Sequence, residues 1–433
     1  GTDAELYKGD HNNFAPRAGF ALMLARSGRT VLRGGYGLYY DTVLHTFAPG
    51  MTSFSGGTPF VKASFGTRLP GQMGRIFEPQ FLFNSAPPLY AYDENLRTPY
   101  AQHFNLTLQQ EIGHSTVVSV GYVGTKTTKL VRMRDINQAF FIPGANAQGI
   151  PLSTALNVNE RRPTQLFHLS TIPLGAIYQV ESASSAIYHS FQATVTKRLS
   201  HGLSVLSSYT WARSIDDATD PVGFTGDAGG PQNSYNYGQE RGLSSFDIRQ
   251  RLTLGYTYLL PFHGSRWKDG WVVNGLASLQ SGQPFTVILG FDPSLTGSFN
   301  ARPNYVPGAF TVKDGQVFVN PNLPKDPATG IPLALIPATG EYGTLGRNTF
   351  IGPSYRNFDL SVSKTTGFGE RTKLIARFEV FNLFNTTNLA LPVRNLSEPF
   401  FGHSLKTQDV AGGSPKLGGG GPRVIQLALK LNF

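Results

Sequence analysis

The chain has 433 residues, a formal net charge of +10, 49 glycines, 29 prolines and no cysteine. Without cysteine it can form no disulfide framework, thiol nucleophile or zinc–thiolate site. Lys and Arg are scattered along the chain instead of clustered, which argues against nucleic acid as a partner. No apolar run approaches the roughly 18 residues of a transmembrane helix, so a membrane-spanning form would have to be a β-barrel.

Segments in which apolar and polar residues alternate predict about eleven antiparallel β-strands, ten of them in hairpin pairs. In chain order the pairs are 18–25 with 31–40, 102–112 with 116–124, 188–199 with 203–212, 247–258 with 271–280, and 357–364 with 373–384. A last strand, 424–433, stands alone.

Short turns join the strands within each pair, whereas long segments rich in Gly, Pro, Asn, Asp and Ser join one pair to the next. These long connections are 41–101, 125–187, 213–245, 281–356 and 385–422. Short turns that alternate with long loops are typical of outer-membrane barrels, in which the turns face the periplasm and the loops face outside. We therefore predict an all-β, antiparallel transmembrane barrel whose long loops carry recognition.

The terminal strand gives the clearest alternation. Its apolar face consists of Ile425, Leu427, Leu429, Leu431 and Phe433, and the residues between them are mostly polar or small. A ten-residue strand of this kind is long enough to cross a bilayer, with lipid on one side and a polar lumen on the other. The alternative is the closing strand of a soluble β-sandwich.

Charged residues in the predicted strands lie mostly on the polar face. A Lys or Arg that faces lipid at mid-bilayer costs about 2–4 kcal/mol, so a barrel is expected to segregate them. We predict six lumen-lining charges: Arg33, Arg198, Arg249, Arg251, Arg377 and Glu379. The alternative is that these residues pair with one another across neighbouring strands.

One acidic segment is a weak candidate for a metal site. Asp216, Asp217 and Asp220, with Asp227 beyond them, could bind Ca²⁺ through clustered carboxylates. Their spacing does not fit an EF-hand, so a solvated acidic loop is the better interpretation. The nine histidines have no zinc-type spacing, and no nucleophile elbow, Walker loop or His-Glu-x-x-His motif is present. We therefore expect no catalytic residue, no enzymatic activity and no cofactor.

Five segments resemble TonB-dependent outer-membrane receptors of the Oar-like group. They are 13–20, 31–41, 281–286, 377–385 and 429–433. The most specific are the Arg-x-Glu-x-Phe-Asn-x-Phe-Asn motif, which starts at Arg377, and the terminal Phe433. The resemblance implies a plugged barrel of about 22 strands in the outer membrane. On this basis residues 1–433 would be the C-terminal half of the barrel domain, without the plug and the N-terminal strands.

The resemblance also implies partners. They would be outer-membrane lipid, the TonB complex acting through the absent plug, and an unidentified ligand on the outer loops. Leu429, Leu431 and Phe433 would signal to the barrel-assembly machinery. The chain starts at Gly1 without a signal peptide, so we expect a processed or truncated product.

Two other functions remain open. The chain could belong to a passive porin or structural barrel, which would have neither plug nor energy coupling. It could also be a secreted all-β carbohydrate-binding or hydrolytic protein, although hydrolysis would need paired carboxylates in a cleft.

Overall fold

A computed structural model describes residues 8–41, 89–169, 174–218, 230–298, 300–369, 371–408 and 420–433. The strands are β1 (Arg17–Met23), β2 (Thr30–Tyr40), β3 (Leu89–Tyr92), β4 (Tyr100–Ile112), β5 (Thr116–Asp135), β6 (Ile177–Ser200), β7 (Leu203–Asp216), β8 (Gly242–Leu243), β9 (Gln250–Leu259), β10 (Trp271–Gln280), β11 (Pro284–Phe285), β12 (Phe310–Lys313), β13 (Gln316–Val319), β14 (Phe350–Ile351), β15 (Tyr355–Phe368), β16 (Thr372–Phe381) and β17 (Val424–Asn432).

Eleven of these strands form one antiparallel sheet in the order β1-β2-β4-β5-β6-β7-β9-β10-β15-β16-β17. Each of the eleven corresponds to a strand predicted from the sequence, so the strand count and the all-β class are confirmed. β3 pairs with β6, and β8 pairs with β7. Within the described part of the chain β1 pairs only with β2 and β17 only with β16, so the sheet is not closed.

Five short turns lie at one end of the sheet, and the long connections lie at the other. We call these the short-turn end and the long-loop end. Glycine is required in some of the turns, since Gly270 has a φ of +79° and a Cβ there would lie 2.4 Å from the Thr365 carbonyl oxygen. Gly264, in the same turn, also has positive φ but has open space around it. The predicted alternation of short turns and long loops is therefore present.

The pairing register places the apolar residues of successive strands on one continuous face. Residues directly opposite each other in an antiparallel pair share a face of the sheet. One row across the sheet runs Leu106, Tyr122, Phe191, Trp211, and another runs Val362, Phe378, Leu427. We call this side the apolar face and the other side the polar face.

Large side chains of the apolar face are exposed instead of packed against a second sheet. Trp211 is 54% exposed and Leu427 is 77% exposed. A soluble sandwich would bury this face in a dry core about 10 Å thick, so the sandwich alternative is wrong. An exposed apolar face over eleven strands needs lipid as its solvent.

Two strands are much longer than the alternation predicted. β5 has 20 residues and β6 has 24, whereas about 9–11 tilted residues cross a bilayer. The predicted ends at 124 and 188 were wrong, because both strands continue from there toward the long-loop end. A β-bulge next to Lys129, whose φ is 59°, interrupts their pairing in the extension.

Helical structure is sparse in the described residues. It consists of α1 (Pro163–Leu166) and short 3-10 turns such as Tyr237–Glu240. Within these residues no helix combines the length and apolarity needed to span a membrane.

Candidate functional site

The long connections fold together at the long-loop end, and the main hydrophobic core of the described chain lies there. Its fully buried members include Val287, Leu289, Val317 and Leu335. Ten of the eleven buried residues of this core are scattered over 281–354, and the eleventh is Leu396. We call the assembly of segments 125–176, 230–249, 281–354 and 382–408, as far as they are described, the loop layer.

Two short antiparallel strand pairings stabilise the loop layer. β11 pairs with β14, which places Phe285 opposite Phe350, and β12 pairs with β13. The rings of Phe285 and Phe350 are 6.0 Å apart, and Phe310 packs edge-on against Phe350 at 5.1 Å. The aromatic contacts join the two pairings into one packed unit.

A buried ion pair joins two of the long loops. Arg302 Nη1 lies 2.6 Å from Glu240 Oε2, and both side chains are 3% exposed. Arg302 Nε also donates to the carbonyl of Leu345 at 2.9 Å. A buried charge is tolerated only when it is paired and its remaining donors are satisfied. This pair therefore fixes the segment around 240 against the segment around 302.

A second buried arginine ties the loop layer to the end of β7. Arg347 Nη2 donates to the carboxylate of Asp216 and, at 2.8 Å, to its backbone carbonyl. Arg347 Nε donates to the Glu240 carbonyl at 2.7 Å. The Asp216 side chain is only 2% exposed. The loop layer is thus attached to the sheet through a charged contact.

Two consecutive arginines connect a third loop. Arg162 pairs with Asp135 at 3.1 Å and donates to the Asn137 carbonyl at 2.7 Å. Arg161 Nη2 donates to the Leu295 carbonyl at 2.6 Å and to the Thr154 carbonyl at 3.0 Å. Burial lowers the pKa of the Arg161 guanidinium from its ordinary value, while nearby carboxylates oppose this. Segment 135–162 is therefore fixed to segment 281–356.

The extensions of β5 and β6 carry another polar cluster. Arg132 and Arg134 both bind Glu181, at 2.8 Å and 3.1 Å. Arg132 also stacks on the ring of Tyr237, 3.5 Å from its centroid. Burial raises the pKa of Tyr237, although Arg132 opposes the shift. Asp217 completes the cluster, 3.9 Å from Arg132.

An aromatic group lies exposed on the loop layer. Phe140 stacks on Tyr235 with ring centroids 5.4 Å apart, and Phe167 packs edge-on against Phe140 at 6.5 Å. Phe167 is 62% exposed and Tyr235 is 47% exposed. Tyr235 Oη donates to the Gln138 carbonyl at 2.7 Å. Partial burial of the Tyr235 phenol raises its pKa to about 12, and the nearby Asp135 carboxylate makes a smaller contribution in the same direction.

The proposed calcium segment has a different environment from the solvated acidic loop we expected. Asp216 is buried against Arg347, so that interpretation is wrong for this residue. Asp217 accepts a hydrogen bond from the Ser185 amide at 3.0 Å. Asp220 and Asp227 lie outside the described residues. The described residues contain no group of three His, Asp or Glu side chains that could hold a metal ion.

The register places the six predicted lumen charges on the polar face or on its continuation beyond a strand end. Arg33 lies opposite Thr107, and Arg251 lies opposite Gln280. Arg377 and Glu379 are 3.7 Å apart on β16, which is a contact along one strand and not across two. Arg198 comes directly after the paired residue Lys197 in β6, and Arg249 comes directly before the paired residue Gln250 of β9. Both arginines therefore continue the polar face beyond the paired positions. Whether these charges line a translocation path remains a prediction.

The C-terminal residues Leu429, Leu431 and Phe433 lie on or directly follow edge strand β17. Leu429 is opposite Ala376 and Leu431 is opposite Leu374, so both are on the apolar face. Phe433 is 96% exposed. Their proposed role in barrel assembly remains a prediction.

Sequence patterns contain little indication of the buried arginines of the loop layer. Arg302 and Arg347 lie in Gly- and Pro-rich segments with no periodic pattern. Arg161 and Arg162 form a pair directly before Pro163, and this was the one local signal available. A side chain that binds carbonyls more than 100 positions away leaves no trace in sequence spacing, as the 131-residue separation of Arg347 and Asp216 illustrates.

Family comparison agrees with this geometry. Residues 1–426 match the family described as "Outer membrane beta barrel domain". The chain therefore belongs to that family, and its location is the outer membrane. The family assignment also excludes the secreted soluble protein considered above. A search of curated proteins by sequence found no match.

Similar solved structures were found at low sequence identity. The outer membrane transporter YddB from Escherichia coli is 11% identical with a TM-score of 0.50, over 97% of this chain and 41% of that one. A mutant of the ferric enterobactin receptor PfeA from Pseudomonas aeruginosa is 13% identical (TM-score 0.46, 97% and 40%). The FrpB iron transporter from Neisseria meningitidis is 10% identical (TM-score 0.41, 97% and 39%). The chain thus spans about two fifths of the length of these proteins, and the YddB comparison supports a common fold only.

Proposed function

We propose that this chain is the C-terminal half of the barrel of a TonB-dependent outer-membrane transporter or receptor. The observation that carries the proposal is the eleven-stranded sheet with an exposed apolar face and a packed layer of long loops. Its overlap with 41% of an outer membrane transporter supports the same view. We propose no catalytic activity for it.

The two edges of the sheet support the idea of a partial barrel. β1 and β17 have no second strand partner within the described residues. Unpaired backbone groups are not tolerated in lipid, so a functional barrel needs further strands between these edges. Eleven strands are half of the about 22 in large plugged transporters. We therefore propose that the remaining strands and a plug belong to the same full-length protein.

The loop layer is the proposed ligand-binding region. The stacked group of Phe140, Phe167 and Tyr235 offers exposed aromatic faces, and its backbone is fixed by the buried arginine contacts. Aromatic side chains contribute large contact area at low conformational-entropy cost. The ligand in this proposal is a solute or a larger cargo with an apolar or aromatic surface. Direction of transport, inward or outward, is part of the test.

Transport measurements with the full-length protein test the proposal. Labelled candidate solutes are supplied to cells with intact TonB and to cells without TonB. Transport that disappears without TonB supports an energy-coupled transporter. Transport that continues unchanged without TonB refutes the proposal and favours a passive porin.

The ligand region has a separate test. The double variant F140A/Y235A should lower ligand binding to whole cells about tenfold or more, since aromatic anchors of an interface often contribute 2 kcal/mol or more. The matched control is Tyr305→Ala, a loop-layer aromatic that is 63% exposed and lies outside the stacked group. Equal effects of the two replacements would contradict the assignment of this aromatic group.

A further inference from the structure

Arg356 carries a positive charge on the apolar face and borders an open groove there. A single row across the sheet runs Tyr209, Leu252, Leu279, Arg356. The backbone of Arg356 exchanges hydrogen bonds with the Asn388 side chain. Its guanidinium, in contrast, has no hydrogen-bond or ion-pair partner in the described part of the chain, and the residue is exposed.

Two other cations of this face, Lys364 and Lys197, are satisfied locally, and two more, Lys126 and Arg213, do not border the groove that adjoins Arg356. Lys364 Nζ donates to the Arg266 carbonyl at 2.8 Å and to the Thr365 carbonyl at 3.1 Å, at the short-turn end. Lys197 Nζ donates to the Ser200 carbonyl at 3.1 Å. Neither needs an anion from outside, whereas the guanidinium of Arg356 has five N–H donors that remain available.

The length of β15 indicates how deep Arg356 lies relative to the bilayer. It lies 12 positions from Phe368, the last residue of β15 at the short-turn end (368 − 356). At about 3.3 Å per residue this is roughly 40 Å along the strand, or about 28 Å along the membrane normal for a tilt of about 45°. The lipid-facing apolar band of such barrels is about 25 Å tall. With Phe368 taken as the lower border of that band, Arg356 lies just above its upper border, at the level of the outer-leaflet headgroups.

An open groove of about 590 Å³ adjoins Arg356. Its apolar wall includes Tyr209, Leu252, Leu279 and Phe358, all on the apolar face. Polar residues Gln250, Ser281 and Ser354 lie at its long-loop end. The groove thus has an apolar part toward the membrane interior and a charged and polar part at the headgroup level.

We propose that this groove binds one phosphorylated glycolipid of the outer leaflet, with an acyl chain on the apolar wall and a phosphate on Arg356. A guanidinium binds phosphate through paired, charge-assisted hydrogen bonds. The exposed Gln250 side chain lines the groove and is the polar group that would bond the sugar headgroup, whereas the Ser281 hydroxyl is already bonded to the Gln250 backbone. The proposal depends on the outer-membrane location and on the orientation of the loops, and not on transport activity.

Lipid retention measured by native mass spectrometry tests the proposal. The full-length protein is purified in detergent, stripped of lipid and titrated with bisphosphorylated lipid A. Arg356→Gln should lower lipid retention about tenfold, the effect expected from loss of a hydrogen bond between charged groups. Arg356→Lys should retain part of the affinity, since it keeps the charge but not the paired geometry.

The matched control is Arg377→Gln, which removes an arginine from the polar face of the same sheet. It should leave lipid retention unchanged, and heat-modifiable gel mobility should show that every variant is folded. Equal losses in R356Q and R377Q, or no loss in R356Q, would overturn the proposal. So would equal retention of dephosphorylated lipid A, or of phosphatidylglycerol, by the unmodified protein.

Discussion

Removal of the Arg302 side chain tests whether the loop layer is held together by its buried ion pairs. In Arg302→Met, Glu240 loses the guanidinium at 2.6 Å while both positions stay 97% buried. The Leu345 carbonyl also loses its donor. An uncompensated buried charge of this kind costs about 3–5 kcal/mol. Because every 1.4 kcal/mol is a factor of ten, the open population of the loop layer should rise about a hundredfold or more.

Native-state hydrogen exchange on the full-length protein measures this population directly. The reporting amides are Leu345, bonded to the Pro303 carbonyl at 3.0 Å, and Asn304, bonded to the Leu335 carbonyl at 2.8 Å. Amides within the eleven-stranded sheet should exchange as before, because the hydrogen bonds and the ion pair that Arg302 makes in the described part of the chain all go to loop-layer residues. Unchanged exchange at Leu345 and Asn304, or equal acceleration in the sheet, would refute the reasoning.

Two further variants separate charge from packing. Arg302→Met combined with Glu240→Met removes both charges, so most of the lost stability should return. If the double variant is as unstable as R302M, the uncompensated charge is not the cause. Arg377→Met serves as the exposed control, since Arg377 is 52% exposed and 3.7 Å from Glu379, and should change stability by less than about 1 kcal/mol.

Other expected outcomes concern the two faces, a turn and a titrating group. Leu427→Lys should lower the unfolding free energy in lipid bilayers by about 2–4 kcal/mol, because position 427 faces lipid. Ala428→Lys, on the polar face, should change that free energy little. Equal costs for the two variants would contradict the face assignment. Gly270→Ala should destabilise by about 1–3 kcal/mol, measured by heat-modifiable mobility against temperature. Gly367→Ala, at a position with neither a positive φ nor an atom within 4 Å of a Cβ, should cost less. Tyr235 should ionise near pH 12 by ultraviolet difference titration. Because its folded pKa is raised, its contribution to stability is complete below about pH 10 and is lost as the pH rises toward 12, and Y235F should abolish that part of the pH dependence.

The sheet could be predicted from the sequence because lipid imposes a strict pattern on it. Every second residue of a strand such as β17 meets hydrocarbon, so Leu427 and Leu429 alternate with Ala428 and Lys430. This constraint stops where the strand leaves the bilayer. Beyond residue 124, polar and charged residues such as Lys126, Lys129 and Arg132 interrupt the alternation, and the predicted end at 124 fell short by 11 residues (135 − 124).

The loop layer could not be predicted in the same way. Val287, Val317 and Leu335 meet in one core although 30 and 18 positions separate them (317 − 287 and 335 − 317). No period of 2 or 3.6 relates such residues, so pattern analysis leaves them as loop. The same is true of Asp216, which looked like part of a solvated acidic loop and is buried by an arginine 131 positions away.

The sheet and the loop layer are thus stabilised in different ways. The sheet has no dry interior among the described residues, and lipid satisfies its apolar face. The loop layer lies beyond the alternating strands of the sheet and has its own buried core, and it pairs buried charges such as Arg302 with Glu240 where its segments cross. Exposed residues of the loop layer, Phe167 among them, can therefore change with little cost to the sheet. A barrel of constant architecture can in this way present different surfaces to different ligands, which is what the proposed role of the loop layer in recognition requires.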